Sequence, residues 1–195
     1  MMQSSTKINA NAYVLIGGSS KRFGSPKWKA KLNGVRLIDH TWEICKIFEN
    51  CTIIGKSKNN EITYPFLKDK IDNVQSPING IYTALSHSNN EWNFIISCDL
   101  PLMTSNSINN IWENGNIESD AIVPMIKKQK HPLCAFYNKR INKIIKSQMD
   151  KGDLKVIHAL ELINTSYLPI KNDDKKFFNM NTIKDLNEFN SGKIN

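Results

Sequence analysis

Strand-length apolar runs alternate with amphipathic helical stretches along this chain, which predicts an α/β domain of three layers with a mostly parallel sheet covered on both faces. Two observations fix where its ligands should lie. The run Ala12-Tyr13-Val14-Leu15-Ile16 breaks into a glycine-containing basic loop, and the run Trp92 to Ser97 ends on Cys98-Asp99-Leu100-Pro101. Open α/β sheets bind ligands outside the carboxyl ends of their strands, and both breaks fall at such ends. At 195 residues the chain suits one well-buried domain. We read 1–195 as one Rossmann-like domain with loose tails at about 1–9 and 190–195.

Residues 12–16 are β-prone and too short for a helix, so they make the first strand. Leu37 to Phe48 carries apolar residues at helical spacing, and Cys51 to Ile54 follows as a buried strand. Lys56 to Glu61 is a polar loop, and Tyr64 to Leu67 is a further strand candidate. After the turn at Ser76-Pro77, Asn79 to Leu85 begins a helix. Beyond Asp99 we expect a helix over Ser105 to Glu113, a strand over Ala121 to Met125 and another over Pro132 to Tyr137. Lys127-Lys128-Gln129-Lys130 forms a basic hairpin turn between those two strands. Helices over Arg140 to Met149 and Leu154 to Leu162, a weak strand over Tyr167 to Ile170 and a closing helix over Ile183 to Phe189 complete the series.

Twenty-six Lys and Arg against eighteen Asp and Glu leave a net charge of +8. That balance fits an anionic substrate, a nucleic acid or a solvated basic surface, and does not choose among them. No apolar run approaches the ~20 residues that span a bilayer, and the polar Met1 to Ala12 is unlike a signal peptide, so a cytoplasmic protein is expected. Cys45, Cys51, Cys98 and Cys134 contain no Cys-x-x-Cys pair, which points to reduced thiols rather than a zinc site or a disulfide framework.

The loop after the first strand reads Gly17-Gly18-Ser19-Ser20-Lys21-Arg22-Phe23-Gly24-Ser25-Pro26-Lys27. It is not a Walker A loop, because five residues separate Gly18 from Gly24 and Ser25-Pro26 comes next; nor does it contain Gly-x-Gly-x-x-Gly. Gly17 and Gly18 allow the backbone to approach a ligand closely. Arg22 and Lys27 add a planar fork and a mobile point charge suited to an oligophosphate. A glycine turn flanked by solvated basic residues is the simpler alternative.

Asp99 should emerge at the same sheet edge as this loop. A carboxylate facing phosphates calls for a cation between them, and Mg²⁺, held by one or two carboxylates plus substrate oxygens, fits. Helix capping is the competing role for Asp99, but Thr104 and Ser105 are better placed for it. Asp69, within Lys68-Asp69-Lys70, reads equally as an exposed charged turn. His131 precedes a strand and reads as structural, while His40, His87 and His158 fall in helices. No cluster of Ser, Cys or His forms a protein nucleophile, so the nucleophile is expected on the substrate.

With these motifs in order, the sequence from about Tyr13 to Phe189 resembles the molybdenum cofactor guanylyltransferases, which attach GMP to molybdopterin. The resemblance is carried by Leu15-Ile16-Gly17-Gly18-x-x-x-Arg22-Phe23-Gly24-x-x-Lys27, Ser76-Pro77-Ile78-Asn79-Gly80-Ile81 and Cys98-Asp99-Leu100-Pro101. His131-Pro132-Leu133-Cys134-Ala135-Phe136-Tyr137 and Phe178-Asn179-Met180-Asn181-Thr182-x-x-Asp185-Leu186 extend it. It implies a nucleotidyltransferase fold of the nucleotide-diphospho-sugar transferase type. It also implies that Leu15, Ile16, Gly17 and Gly18 meet GTP through backbone and that Lys27 binds phosphate. Asp69 would recognise guanosine, Asp99 would bind both GTP and Mg²⁺, and Asn179, Asn181 and His131 would border the pterin.

Departures from the family pattern are Ile16 for Ala, Ser76-Pro77-Ile78-Asn79-Gly80 for Gly-Pro-Leu-Ala-Gly, and Ile183 for Pro. An Asn that some relatives carry near the end of the second strand is here Gly55 or a neighbour. These changes leave phosphate handling intact and bear on base selectivity.

The implied reaction is in-line attack by the terminal phosphate of molybdopterin, or its molybdenum-loaded form, on the α-phosphorus of GTP. Asp99, Lys27 and Arg22 then carry catalysis by positioning and charge neutralisation. Implied partners are a protein that delivers the pterin and a recipient molybdoenzyme; neither membrane nor nucleic acid is expected. The rivals are a sister enzyme using CTP on the same pterin, or an NTP on a sugar phosphate. From another class comes a non-catalytic nucleotide- or RNA-binding module, which leaves Asp99 unexplained.

Overall fold

The computed structural model describes residues 7–17, 26–171 and 174–191. Strand β1 (Ile8–Leu15) is followed by a small hairpin of β2 (Lys31–Leu32) and β3 (Val35–Arg36), then α1 (Leu37–Ile44), β4 (Phe48–Gly55) and β5 (Phe66–Lys68). Helix α2 (Pro77–His87), β6 (Trp92–Ser97), α3 (Ser105–Asn114), β7 (Ala121–Ile126), β8 (Gln129–Lys130) and β9 (Cys134–Asn138) come next. The chain closes with α4 (Asn142–Asp150), α5 (Val156–Glu161), β10 (Thr165–Pro169) and α6 (Ile183–Asn190).

The main sheet runs β10-β7-β9-β6-β1-β4-β5, with β8 paired to β7. Pairings β1·β4, β1·β6, β4·β5 and β7·β10 are parallel, whereas β9 is antiparallel to both its neighbours. The chain first builds outward from β1 through β4 and β5, then crosses to β6 on the other side. This reversal makes β1 and β6 the switch point of the sheet, where a crevice opens between diverging connections.

Alternation along the strands builds two cores. Ala12, Val14, Phe94, Ile96 and Phe136 point to one face, packed with Ile38 of α1 and Ile108 of α3. Tyr13, Leu15, Ile95 and Tyr137 point to the other, against Ile78 and Ile81 of α2 and Ile145 of α4. Side chains in a strand alternate with period two, so a strand buried on both faces reads as a continuous apolar run. That is why Trp92 to Ser97 was legible to the residue. A third, smaller cluster of Leu37, Met180 and Phe189 anchors α6 over the start of α1.

Several boundaries differ from the sequence reading. Ile8 and Asn9 belong to β1 rather than to a loose tail, because Ile8 is buried and pairs with Phe48. The helix read over 37–48 ends at Ile44, tightens into a 3₁₀ turn over Cys45–Ile47, and gives Phe48 to a strand. The strand read from Pro132 starts at Cys134, since the Cys134 amide closes a turn onto the His131 carbonyl at 3.1 Å. The hairpin β2–β3 was not anticipated, although its Asn33-Gly34 turn is the usual two-residue signal; both residues have positive φ, 50° and 85°. Among the described residues no helix is long and apolar enough to cross a membrane.

Candidate active site

Four strand ends converge on one edge. Gly17 follows β1, Lys56 follows β4, Asp69 follows β5 and Asp99 lies two residues beyond β6. A cavity of about 380 Å³ opens there, walled by Leu15, Gly17, Ile54, Lys56, Asp69 and Gly80, with Ser76 and Pro77 of the α2 start at its rim. Gly80 faces it because the α2 backbone presses on Leu15: a Cβ at Gly80 would stand 2.8 Å from Leu15 Cδ2. Gly17 lies across from Asp69, whose Oδ2 would be 3.9 Å from a Cβ at that glycine.

Asp69 is half-buried, and its amide donates to Gly55 O at 2.9 Å, which continues the β4–β5 pairing. Burial raises its carboxyl above the ordinary range, and the Lys56 ammonium offsets part of this. Lys56 itself donates to the carbonyls of Asp72 and Val74, both at 3.1 Å. It was missed in the sequence as one more lysine in a polar stretch; its place directly after a buried strand was the available signal.

At the same sheet edge, where Asp99 lies, Lys27 joins two distant segments. Its Nζ lies 3.4 Å from Asp99 Oδ2 and 2.9 Å from Asn181 Oδ1. Ser97 Oγ donates to the other oxygen of Asp99, and the Met180 amide donates to the Asp99 carbonyl at 2.9 Å. Asn181 is held in turn by Asp185, whose Oδ2 accepts from the amides of Asn181 and Thr182, both at 2.8 Å. With Thr182 Oγ1 accepting the Asp185 amide, this is the capping box of α6. Thr104 caps α3, as its sequence position implied, leaving Asp99 free of that duty.

The sequence-derived residues therefore separate into groups. Leu15, Gly17 and Asp69 share the cavity, and Lys27, Asp99 and Asn181 share one hydrogen-bonded cluster. Ile16 turns its side chain to the core, and its amide is taken by Ile54 O at 3.0 Å, so it has no N–H to offer a ligand. His131 is buried against Phe177, ring centroids 5.0 Å apart, two residues before Asn179, which is itself half-buried. Burial lowers the pKa of His131. Gly18 and Arg22 lie outside the described residues. Cys98 adjoins Asp99 but is buried, and its thiol is pushed up to about 12 by burial, which rules against a thiolate nucleophile.

The model of the MobA-like NTP transferase domain matches residues 12–163. The chain belongs to this family. The matched span takes in Gly17, Lys27, Asp69 and Asp99, and the chain is a nucleotidyltransferase of this superfamily. A relative from Flavobacterium johnsoniae, "Probable molybdenum cofactor guanylyltransferase", is 32% identical over 91% of this chain and 95% of its own. A crystal structure of an Aquifex aeolicus protein aligns with TM-score 0.76 at 30% identity over 92% of this chain and 96% of that one. Molybdopterin-guanine dinucleotide biosynthesis protein A from Archaeoglobus fulgidus aligns with TM-score 0.81 at 23% identity, covering 94% and 98%, which bears on the fold.

Proposed function

We propose that this MobA-like NTP transferase moves GMP from GTP to the terminal phosphate of molybdopterin, with pyrophosphate leaving. The observation that carries the reading is the Lys27 bridge between Asp99 and Asn181, at the same sheet edge as the Asp69 cavity. It brings together a cation, a carboxylate and an amide, a set suited to two anionic reactants. Support also comes from relatives bearing the guanylyltransferase name, matched over nearly the whole chain.

Guanine presents N1–H and an amino group as adjacent donors, and the Asp69 carboxylate is an acceptor-only partner for such a pair. The apolar walls of Leu15, Ile54 and Pro77 suit the faces of the base. Two phosphates repel, so orientation and charge neutralisation dominate the barrier. Lys27 lowers that repulsion, and an ionised phosphate needs no general base. Asn181, Asn179 and His131 border the place for the pterin, beside Phe177.

Asp99 fits a Mg²⁺ ion by its donor chemistry. Its carboxylate oxygens are hard ligands, its side chain keeps 20% of its exposure, and its contact to Lys27 is loose at 3.4 Å. Among the described residues no group of three or more His, Cys, Asp or Glu could hold a metal. One carboxylate completed by substrate phosphates and water is the arrangement Mg²⁺ commonly takes. When bound, the ion would supply positive charge to the phosphates. A protein delivering the pterin and a molybdoenzyme receiving the product are the partners this reaction implies.

Pyrophosphate release with molybdopterin, Mg²⁺ and each of GTP, CTP, ATP and UTP tests the proposal. GTP-dependent release is expected. Preference for CTP would remove the guanine assignment, and silence with every nucleotide would remove the reaction.

A further inference from the structure

We infer that Asn79 is a positioning residue for base selection, acting through the seven-residue loop from Asp69 to Gln75. The inference rests on the guanine reading above. Asp69 and Gln75, the two ends of this loop, both line the cavity, while the residues between them do not. The loop has no regular structure; its Asp69 end is held by the amide bond to Gly55 O, and from Lys70 onward most of the hold comes from neighbouring side chains.

Asn79 supplies most of that hold. It is fully buried near the start of α2, between the core residues Ile78 and Gly80. A primary amide is a poor choice for such a position unless every polar atom finds a partner. Here Nδ2 donates to Ile71 O at 2.7 Å and to Val74 O at 3.1 Å, and Oδ1 accepts from the Ile71 amide at 3.3 Å. One helical turn on, the buried Thr83 hydroxyl accepts the Lys70 amide at 2.9 Å and donates to Asn79 O at 2.7 Å. Lys56 completes the arrangement from the β4 side through Asp72 O and Val74 O.

The loop is thus wired to α2 by the side chains of Asn79 and Thr83, neither of which lines the cavity. Removing Asn79 leaves the part-buried Ile71 amide without its partner and the Ile71 carbonyl with only the Val74 amide at 3.4 Å, a loss the loop relieves by moving toward water. Asp69 keeps its amide bond to Gly55 O but adjoins the hooked segment, so its carboxylate would lose the support it has from Lys70 onward. Preorganisation of this kind contributes to affinity and selectivity by sparing the bound state an ordering cost.

The test compares the full-length wild type with Asn79→Ala and Thr83→Val. A fluorescent GTP analogue competed with GTP and ATP measures affinity, and amide hydrogen exchange reads the loop. N79A is expected to weaken GTP binding roughly tenfold, to shrink the GTP-over-ATP preference, and to lose protection at Lys70 and Ile71. At saturating GTP its turnover should stay within about twofold, a split that a general loss of packing would not produce. T83V, which removes only the Lys70 hook, should move affinity the same way by a smaller factor and carries the test if N79A does not fold. Unchanged GTP affinity and preference in a folded variant whose loop amides have lost protection overturns the inference. A wild type with no preference for GTP fails instead on the guanine reading, so the two failures are distinguishable.

Discussion

The Nζ of Lys27 lies 2.9 Å from Oδ1 of Asn181 across 154 residues of sequence. Asn181 is exposed, and a hydrogen bond between exposed groups contributes at most about 1 kcal/mol to folding. Asn181→Ala should therefore leave the melting temperature nearly unchanged while raising KM for the pterin substrate. Paired thermal melts and steady-state kinetics check this, and a large drop in melting temperature without a KM change would show the contact to be structural.

Asp99 receives the Ser97 hydroxyl on one oxygen and faces Lys27 with the other. Asp99→Asn keeps the shape but removes the charge. Turnover measured by pyrophosphate release should fall roughly 100-fold or more, the scale seen when a preorganised electrostatic partner is lost. Turnover close to wild type at saturating Mg²⁺ would remove Asp99 from the reaction.

Asp69 carries a stability cost. Its carboxyl ionises at about 4 in the unfolded chain and later in the folded one, where burial raises it. Between those values the folded state holds the extra proton, so its contribution to stability is lost as pH rises. Asp69→Asn should melt higher than wild type at pH 7, with the gap closing below pH about 4. The same variant should bind GTP roughly 10–100-fold more weakly, because a charged acceptor is gone. Melting curves across pH, set beside GTP titrations, test both halves.

Gly80→Ala places a methyl 2.8 Å from Leu15 Cδ2 in a buried wall. Overpacking costs about 1–3 kcal/mol, and the better helix propensity of alanine returns at most about 1 kcal/mol. Net destabilisation is expected, with Leu15 displaced into the cavity and KM for the nucleotide raised. Unfolding in denaturant and nucleotide titration report the two effects separately.

Asp185 spans the α6 cap. Burial pushes its carboxyl up, but hydrogen bonds from the Asn181 and Thr182 amides outweigh this and its pKa is lowered overall. The stability it contributes is present above about pH 4 and lost as pH falls through the folded value. It is modest because the side chain is largely solvated. Asp185→Asn should flatten the acid limb of the stability profile and cost about 1 kcal/mol at neutral pH, as cap losses do. An acid limb identical to wild type would assign the cap no role.

Strand β1, β6 with Asp99 behind it, and the Thr104 cap were readable in sequence for a common reason: each is a local signal. A continuous apolar run announces a doubly buried strand, and the residues just past its end must stand at the sheet edge. Lys27 and Asp99 were singled out this way, and the resemblance pointed to Asp69 and Asn181. Lys56 and Asn79 were not found, because a lysine in a polar stretch and an asparagine in a helix look ordinary until their partners are known. The helix boundary at Ile44 was misjudged for the same reason, since the switch from helix to strand at Phe48 is decided by pairing with Ile8.

The order of elements, the burial of each strand and the residue types at the strand ends are properties of nearby residues, and they were settled along the chain. Pairing Lys27 with Asn181, and hooking the Asp69 loop to Asn79, required folding. Both depend on backbone groups and side chains that sheet closure alone brings within hydrogen-bonding reach, and the energy of such contacts is not written in local spacing.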